Sequence, residues 1–114
     1  LDLEQYLYQN IPLSQAIGII VEEATLQKVI LKAPLAPNIN HKKTAFGGSL
    51  HAVATLACWS LIFINLQATP FASMEIVITA SEIQYLMPVA ADFFIECSFP
   101  DEARWNACEL PPLN

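Results

Sequence analysis

Hydrophobic positions along the chain follow two periods. Leu3, Tyr6, Leu7 and Ile11 recur at helical spacing and stop near Pro12, which predicts a short amphipathic helix from Leu3 to Ile11. From Ile17 the period falls to two, with Ile17, Ile19 and Val21 alternating against Gly18, Ile20 and Glu22. After Glu23-Ala24-Thr25, the run from Leu26 to Ala33 sets Val29 and Leu31 on one face and Lys28 and Lys32 on the other. These two runs predict a hairpin with one wet face, closed off by Pro34 and Pro37. Leu50 to Leu66 is then apolar all round. Beyond it, Met74, Ile76, Ile78 and Ala80 oppose Glu75, Val77, Thr79 and Ser81, which predicts a third strand reaching Tyr85. Met87-Pro88 marks a turn, and a fourth strand follows where Phe93, Ile95, Cys97 and Phe99 alternate with Asp92, Phe94, Glu96 and Ser98.

The segment Leu50–Leu66 has nearly the length of a membrane span. His51, Thr55, Ser60 and Asn65 are spread along it, however, and the strands on both sides need something to pack on. A central helix covered by a sheet satisfies both requirements, so the expected architecture is α+β and no membrane is expected. Residues 1–114 form a single domain. Its last fifteen residues fit poorly: Pro100, Pro111 and Pro112 bracket a piece without alternation. Asn106 to Asn114 holds no run long enough for a strand, so the C-terminal strands are expected to be missing from this sequence, the alternative being that another subunit supplies the cover of the helix.

Composition sharpens this. With 54% hydrophobic and 14% charged residues, the chain is not disordered and is expected to bury surface against other subunits. A net charge of -6 argues against nucleic-acid binding through phosphates. The cations are Lys28, Lys32, Lys42, Lys43 and Arg104, two of them directly before Gly47-Gly48. Three cysteines in no paired spacing, and no signal-peptide pattern, fit free thiols in a reducing cytoplasm. Cys58 and Cys97 fall in apolar stretches and are expected to be buried and inert. No metal-site spacing links His41, His51 and the cysteines, and no cofactor motif is present.

The junction of loop and helix carries the candidate chemistry. Paired glycines at a helix start expose backbone, and the first turn offers free N–H donors at the positive end of the dipole. Negative charge developing on an oxygen is stabilised at such a place. A plain turn that lets a buried helix start close to its neighbours would use the same two residues.

The run Asn38-x-Asn40-His41-Lys42-x-Thr44-Ala45-Phe46-Gly47-Gly48-Ser49-Leu50, followed by Ala54-x-Leu56-Ala57-x-Trp59, resembles the YiiD-type thioesterase domain of the hotdog superfamily. The likeness continues through Glu82-Ile83-x-Tyr85-Leu86-x-Pro88-Val89 and Asp92-Phe93, covering about residues 1 to 105. The resemblance implies a long central helix wrapped by an antiparallel sheet, homodimers or dimers of dimers, and acyl thioesters of coenzyme A or acyl carrier protein as substrates. By position it implies that Asn40 and the Gly47 N–H polarise the thioester carbonyl. Phe46 stands where related enzymes often carry a histidine. Thr55 stands where they carry a helix carboxylate, and Ser73 matches a hydroxyl that helps to hold the attacking water.

Threonine is not ionised near neutral pH, so Thr55 can position a water and cannot act as the base. His51, one turn earlier on the same face, and Glu75 or Glu82 are the alternatives, though a structural role is the expectation for any single one of them; His51 is expected to pack in the core. A Cys58–His51 nucleophile pair is excluded, because about two helical turns place them roughly 10 Å apart along the axis. No Gly-x-Ser-x-Gly elbow surrounds Ser49. The expected function is a cytoplasmic thioester hydrolase in which Asn40 and Gly47 hold the carbonyl, with Thr55 and Ser73 holding the water. Gly48 allows close approach, Phe46 stands at the mouth of the acyl channel, and Lys42 and Lys43 meet the carrier. A non-catalytic binding module for acyl thioesters on the same scaffold, and a purely structural oligomerisation domain, are the alternatives.

Overall fold

The computed structural model describes residues 2–99. Helix α1 (Leu3–Asn10) starts where the Asp2 carboxylate accepts the Gln5 N–H at 3.1 Å, which satisfies one of the free donors of the first turn. A short helix α2 (Pro12–Ile17) follows at once. Pro12 opens it, where a missing N–H costs nothing, and Gly18 ends it at φ 87, a left-handed conformation that favours glycine. Sequence reasoning read Pro12 only as a stop and began the strand at Ile17. In the structure Ile17 still belongs to α2, and strand β1 (Ile20–Ala24) begins after it.

β1 pairs antiparallel with β2 (Lys28–Ala33), and β2 pairs antiparallel with β3 (Phe93–Ser98), giving the order β1-β2-β3. The expected faces are present. Val29, Leu31 and Ala33 are fully buried, while Lys28 and Lys32 lie on the other face, where Lys28 meets Glu23 at 3.3 Å. The register shifts between Val21 and Glu23, a bulge in the edge strand. Glu4 covers that edge by accepting the Val21 N–H at 2.8 Å, and the Tyr8 hydroxyl donates to the Ile19 carbonyl.

Helix α3 (Gly47–Gln67) lies across this sheet. Val53, Leu56, Ala57 and Leu61 pack with Val29, Leu31, Ala33 and Phe93 into one core that also takes Leu3, Leu7 and Ile19 from the N-terminal segment. By length and composition α3 would suffice to cross a bilayer, yet one of its faces is committed to the sheet.

The strand expected from Met74 to Tyr85 is not formed. The segment lies against α3 without forming a ladder, and among the described residues no backbone hydrogen bond is made within 75–88. Alternation survives at its start, with Met74 and Ile76 half-buried against exposed Glu75 and Val77. Alternation reports only which face is covered; a strand also needs a ladder partner, and the segment pairs with neither open edge of the sheet, β1 or β3. The expectations for Arg104, Cys108 and the C-terminal strands lie outside the described residues.

Candidate functional site

Two asparagines build the loop between β2 and α3. Asn38 is buried, and its side-chain amide donates to the carbonyls of Ile17 at 2.9 Å and Pro34 at 2.7 Å. Its own carbonyl accepts the Phe46 N–H at 2.7 Å. One residue therefore ties the end of α2, the exit of β2 and the entry to α3. Asn38→Ala leaves two carbonyls without their donor and is expected to lower the unfolding free energy by about 2–3 kcal/mol in a urea titration. Sequence reasoning singled out no role for Asn38. Its signals were its place at the head of the run that carries the resemblance and a polar residue amid Pro34, Pro37 and Ile39.

Asn40 organises the tip. Its Oδ1 accepts the N–H groups of Lys42 at 2.8 Å and Thr44 at 3.2 Å, and its Nδ2 donates to Thr44 Oγ1 at 2.9 Å. One amide hydrogen of Asn40 stays uncommitted among the described residues. Lys43 closes the turn at φ 65, leaving His41, Lys42 and Lys43 exposed.

Gly47 and Gly48 open α3. The Ser49 and Leu50 N–H groups return to the Phe46 carbonyl at 3.0 and 3.1 Å, and Phe46 offers no side-chain cap. The N–H groups of Gly47 and Gly48 thus have no acceptor among the described residues, at the positive end of a 21-residue helix. The bareness of Gly48 serves a residue of the chain itself. A Cβ there would stand 2.6 Å from the Phe46 ring, so its absence lets that ring lie on the first turn while 58% of Phe46 stays exposed.

The two glycines face different hollows. Gly48 lines a groove of about 490 Å³ with Ile11, Leu13, His51, Thr55, Trp59 and Ser81. Gly48, His51, Thr55 and Trp59 follow helical spacing, so they form one face of α3, opposite the face that meets the sheet. Gly47 lines a hollow of about 400 Å³ with Thr44, Leu50 and the segment from Tyr85 to Val89. The Tyr85 hydroxyl donates to the Gly47 carbonyl at 2.8 Å.

The remaining expected residues divide. Thr55 lines the groove beside Gly48, whereas Ser73 lines a third hollow with Tyr6, Trp59, Phe63 and Glu75. Trp59 is shared by the two hollows and stacks on Phe63 at 4.9 Å. Within one chain Ser73 and Thr55 are therefore not joined in a single cavity. Ser81, which sequence reasoning passed over, takes the neighbouring place. Its hydroxyl lies 2.9 Å from His51 Nε2, and both residues line the groove. His51 is half-buried at the groove wall rather than in the core as expected. Glu82 is exposed and lines none of these three hollows. Among the described residues no three of His, Cys, Asp and Glu converge as a metal site would require.

The arrangement can place an ester-like carbonyl oxygen at the helix start, an apolar chain along α3, and an imidazole beside the carbon between them. A family model described as "Putative thioesterase (yiiD_Cterm)" matches residues 1–111. Among solved structures, a protein of unknown function from Chlorobaculum tepidum is 36% identical, with a TM-score of 0.80 over 92% of this chain and 64% of that one. A "putative thioesterase" from Shewanella oneidensis is 32% identical, with a TM-score of 0.77 over 87% of this chain and 68% of that one. The chain thus spans about two thirds of the length of the structures it matches. The shared architecture is the hotdog type, a long central helix against an antiparallel sheet.

Proposed function

Because the chain belongs to the thioesterase family whose model spans residues 1–111, we propose that it is a cytoplasmic hydrolase of acyl thioesters carried by coenzyme A or acyl carrier protein, working as a homodimer. The observation that carries this reading is the position of the two unpaired glycine N–H groups, between an apolar groove that holds His51 and a hollow lined by Thr44, the residue that follows the basic turn. The acyl chain lies in the groove against Ile11, Leu13 and Trp59, with Phe46 at its mouth. The carbonyl oxygen accepts from the Gly47 N–H and from the uncommitted Asn40 amide hydrogen. Water adds to the carbonyl carbon from the side of Thr55 and gives its proton to His51, with Ser81 orienting the ring. The C–S bond then breaks, and the leaving thiolate takes up a proton.

The dimer reading rests on the segment along α3. Val77, Leu86 and Met87 are 75%, 87% and 76% exposed beside unpaired backbone, a surface that association would cover. Such cover also keeps the outer face of α3 within protein and away from a bilayer.

One observation favours the alternative of a binding module without catalysis: among the described residues no carboxylate lines the groove. Release of free thiol from a series of acyl-CoA esters separates the two. Hydrolysis that saturates with substrate supports the enzyme; saturable binding without thiol release supports the module. If the basic turn meets the nucleotide phosphates, the double variant Lys42→Ala/Lys43→Ala is expected to raise KM for CoA esters by about three- to tenfold at low salt, an effect that fades as ionic strength rises. Short thioesters without the nucleotide should be turned over as before; equal losses for both would remove the lysines from carrier recognition.

A further inference from the structure

Cys58 and Cys97 are distant in sequence and adjacent in space, with their sulfurs 3.1 Å apart. Cys58 lies on α3 and is exposed; Cys97 lies on β3 opposite Val29 and is half-buried. The expectation that both thiols are buried is therefore corrected. Neither cysteine lines the groove or the hollows beside it, so the proposed hydrolysis does not use them. The pair spans the contact between helix and sheet. The sulfurs need approach by only about 1 Å to reach disulfide bonding distance.

We propose that Cys58 and Cys97 form a reversible redox pair, a dithiol that a small-molecule disulfide converts into a covalent link between α3 and β3. This does not depend on the hydrolase reading. Cys58 is the attacking thiol, since it is the more exposed of the two. A hydrogen bond donated by Cys97 outweighs burial and lowers the Cys58 thiol to about 7, while the same bond, then burial, then the Cys58 charge raise Cys97 well above the ordinary thiol range. The Cys58 thiolate attacks one sulfur of the external disulfide. A protein–small-molecule S–S bond forms, the original S–S bond breaks, and the departing thiolate takes a proton from solvent. Cys97 then loses its proton to solvent and attacks the Cys58 sulfur, expelling the second small thiolate, which is protonated in turn. One disulfide is reduced to two thiols, and the protein loses two hydrogen atoms.

Oxidised glutathione in excess is the probe, applied to the unaltered chain and to Cys108→Ser, followed by acid quenching, alkylation, intact mass and peptide mapping. The expected result in both is the loss of two hydrogen masses, with Cys58 and Cys97 in one linked peptide pair. The link closes a loop that contains the ladder-free segment, and is expected to raise the melting temperature by roughly 10 °C until dithiothreitol reverses it. In Cys97→Ser the reaction is expected to stop at a glutathione adduct on Cys58. Two alkylatable thiols remaining at Cys58 and Cys97 in the unaltered chain, or a link running to Cys108, overturns the proposal whether or not the serine variant folds.

Discussion

Asn40→Asp is expected to keep the loop and lose about 10²–10³ in thioester turnover, the usual cost of removing one donor from a developing oxyanion. The substitution is chosen because the side chain has two separable duties. Its Oδ1 holds the Lys42 and Thr44 N–H groups, and a carboxylate can do the same. Its amide donates to Thr44 and has a second hydrogen for the substrate; a carboxylate has neither, and sets a negative charge where negative charge must develop. Asn40→Ala removes both duties and would mix a folding loss with a catalytic one. Thermal melts and kcat/KM measured on Asn40→Asp separate them. A near-normal rate in a normally folded protein would take Asn40 out of the mechanism.

The second large effect concerns His51. Imidazole is the side chain best suited to exchange a proton near neutral pH, and His51 is the titratable group that lines the groove beside Thr55. His51→Gln keeps a hydrogen-bonding side chain for Ser81 and is expected to lower kcat by about 10²–10⁴ with KM little changed. Ser81→Ala leaves the ring without its 2.9 Å partner and should cost less, since it disturbs orientation rather than the proton transfer itself. If His51→Gln turns over normally, the water must be activated elsewhere, and the reading without catalysis gains ground.

Much of the fold was legible because it depends on short-range periods. Val29 and Leu31 against Lys28 and Lys32 is a pattern that only a half-buried strand satisfies, and the all-round apolar run after Gly48 can only be a helix surrounded by protein or lipid. The first helix does end near Pro12, but the second helix that Pro12 opens was missed, because proline both ends one helix and starts the next and its position does not say which. The site was less legible. His51 and Ser81 meet across 30 residues, and Cys58 and Cys97 across 39, so no local period contains either pair. The Gly47-Gly48 step identified where the donors lie. That the Phe46 ring occupies the space above Gly48 is a matter of side-chain direction, which spacing does not encode.

The segment from 75 to 88 bears on how stability is distributed. Its backbone forms no ladder among the described residues, and it is fastened to α3 by the Tyr85–Gly47 bond and the His51–Ser81 contact. Amide hydrogens there need no unfolding of the sheet to reach solvent, so in deuterated water they exchange early, while those of β2, paired on both sides, wait for the core to open. The outer wall of the groove and its floor thus belong to different cooperative units, and a mild denaturant would release one long before the other.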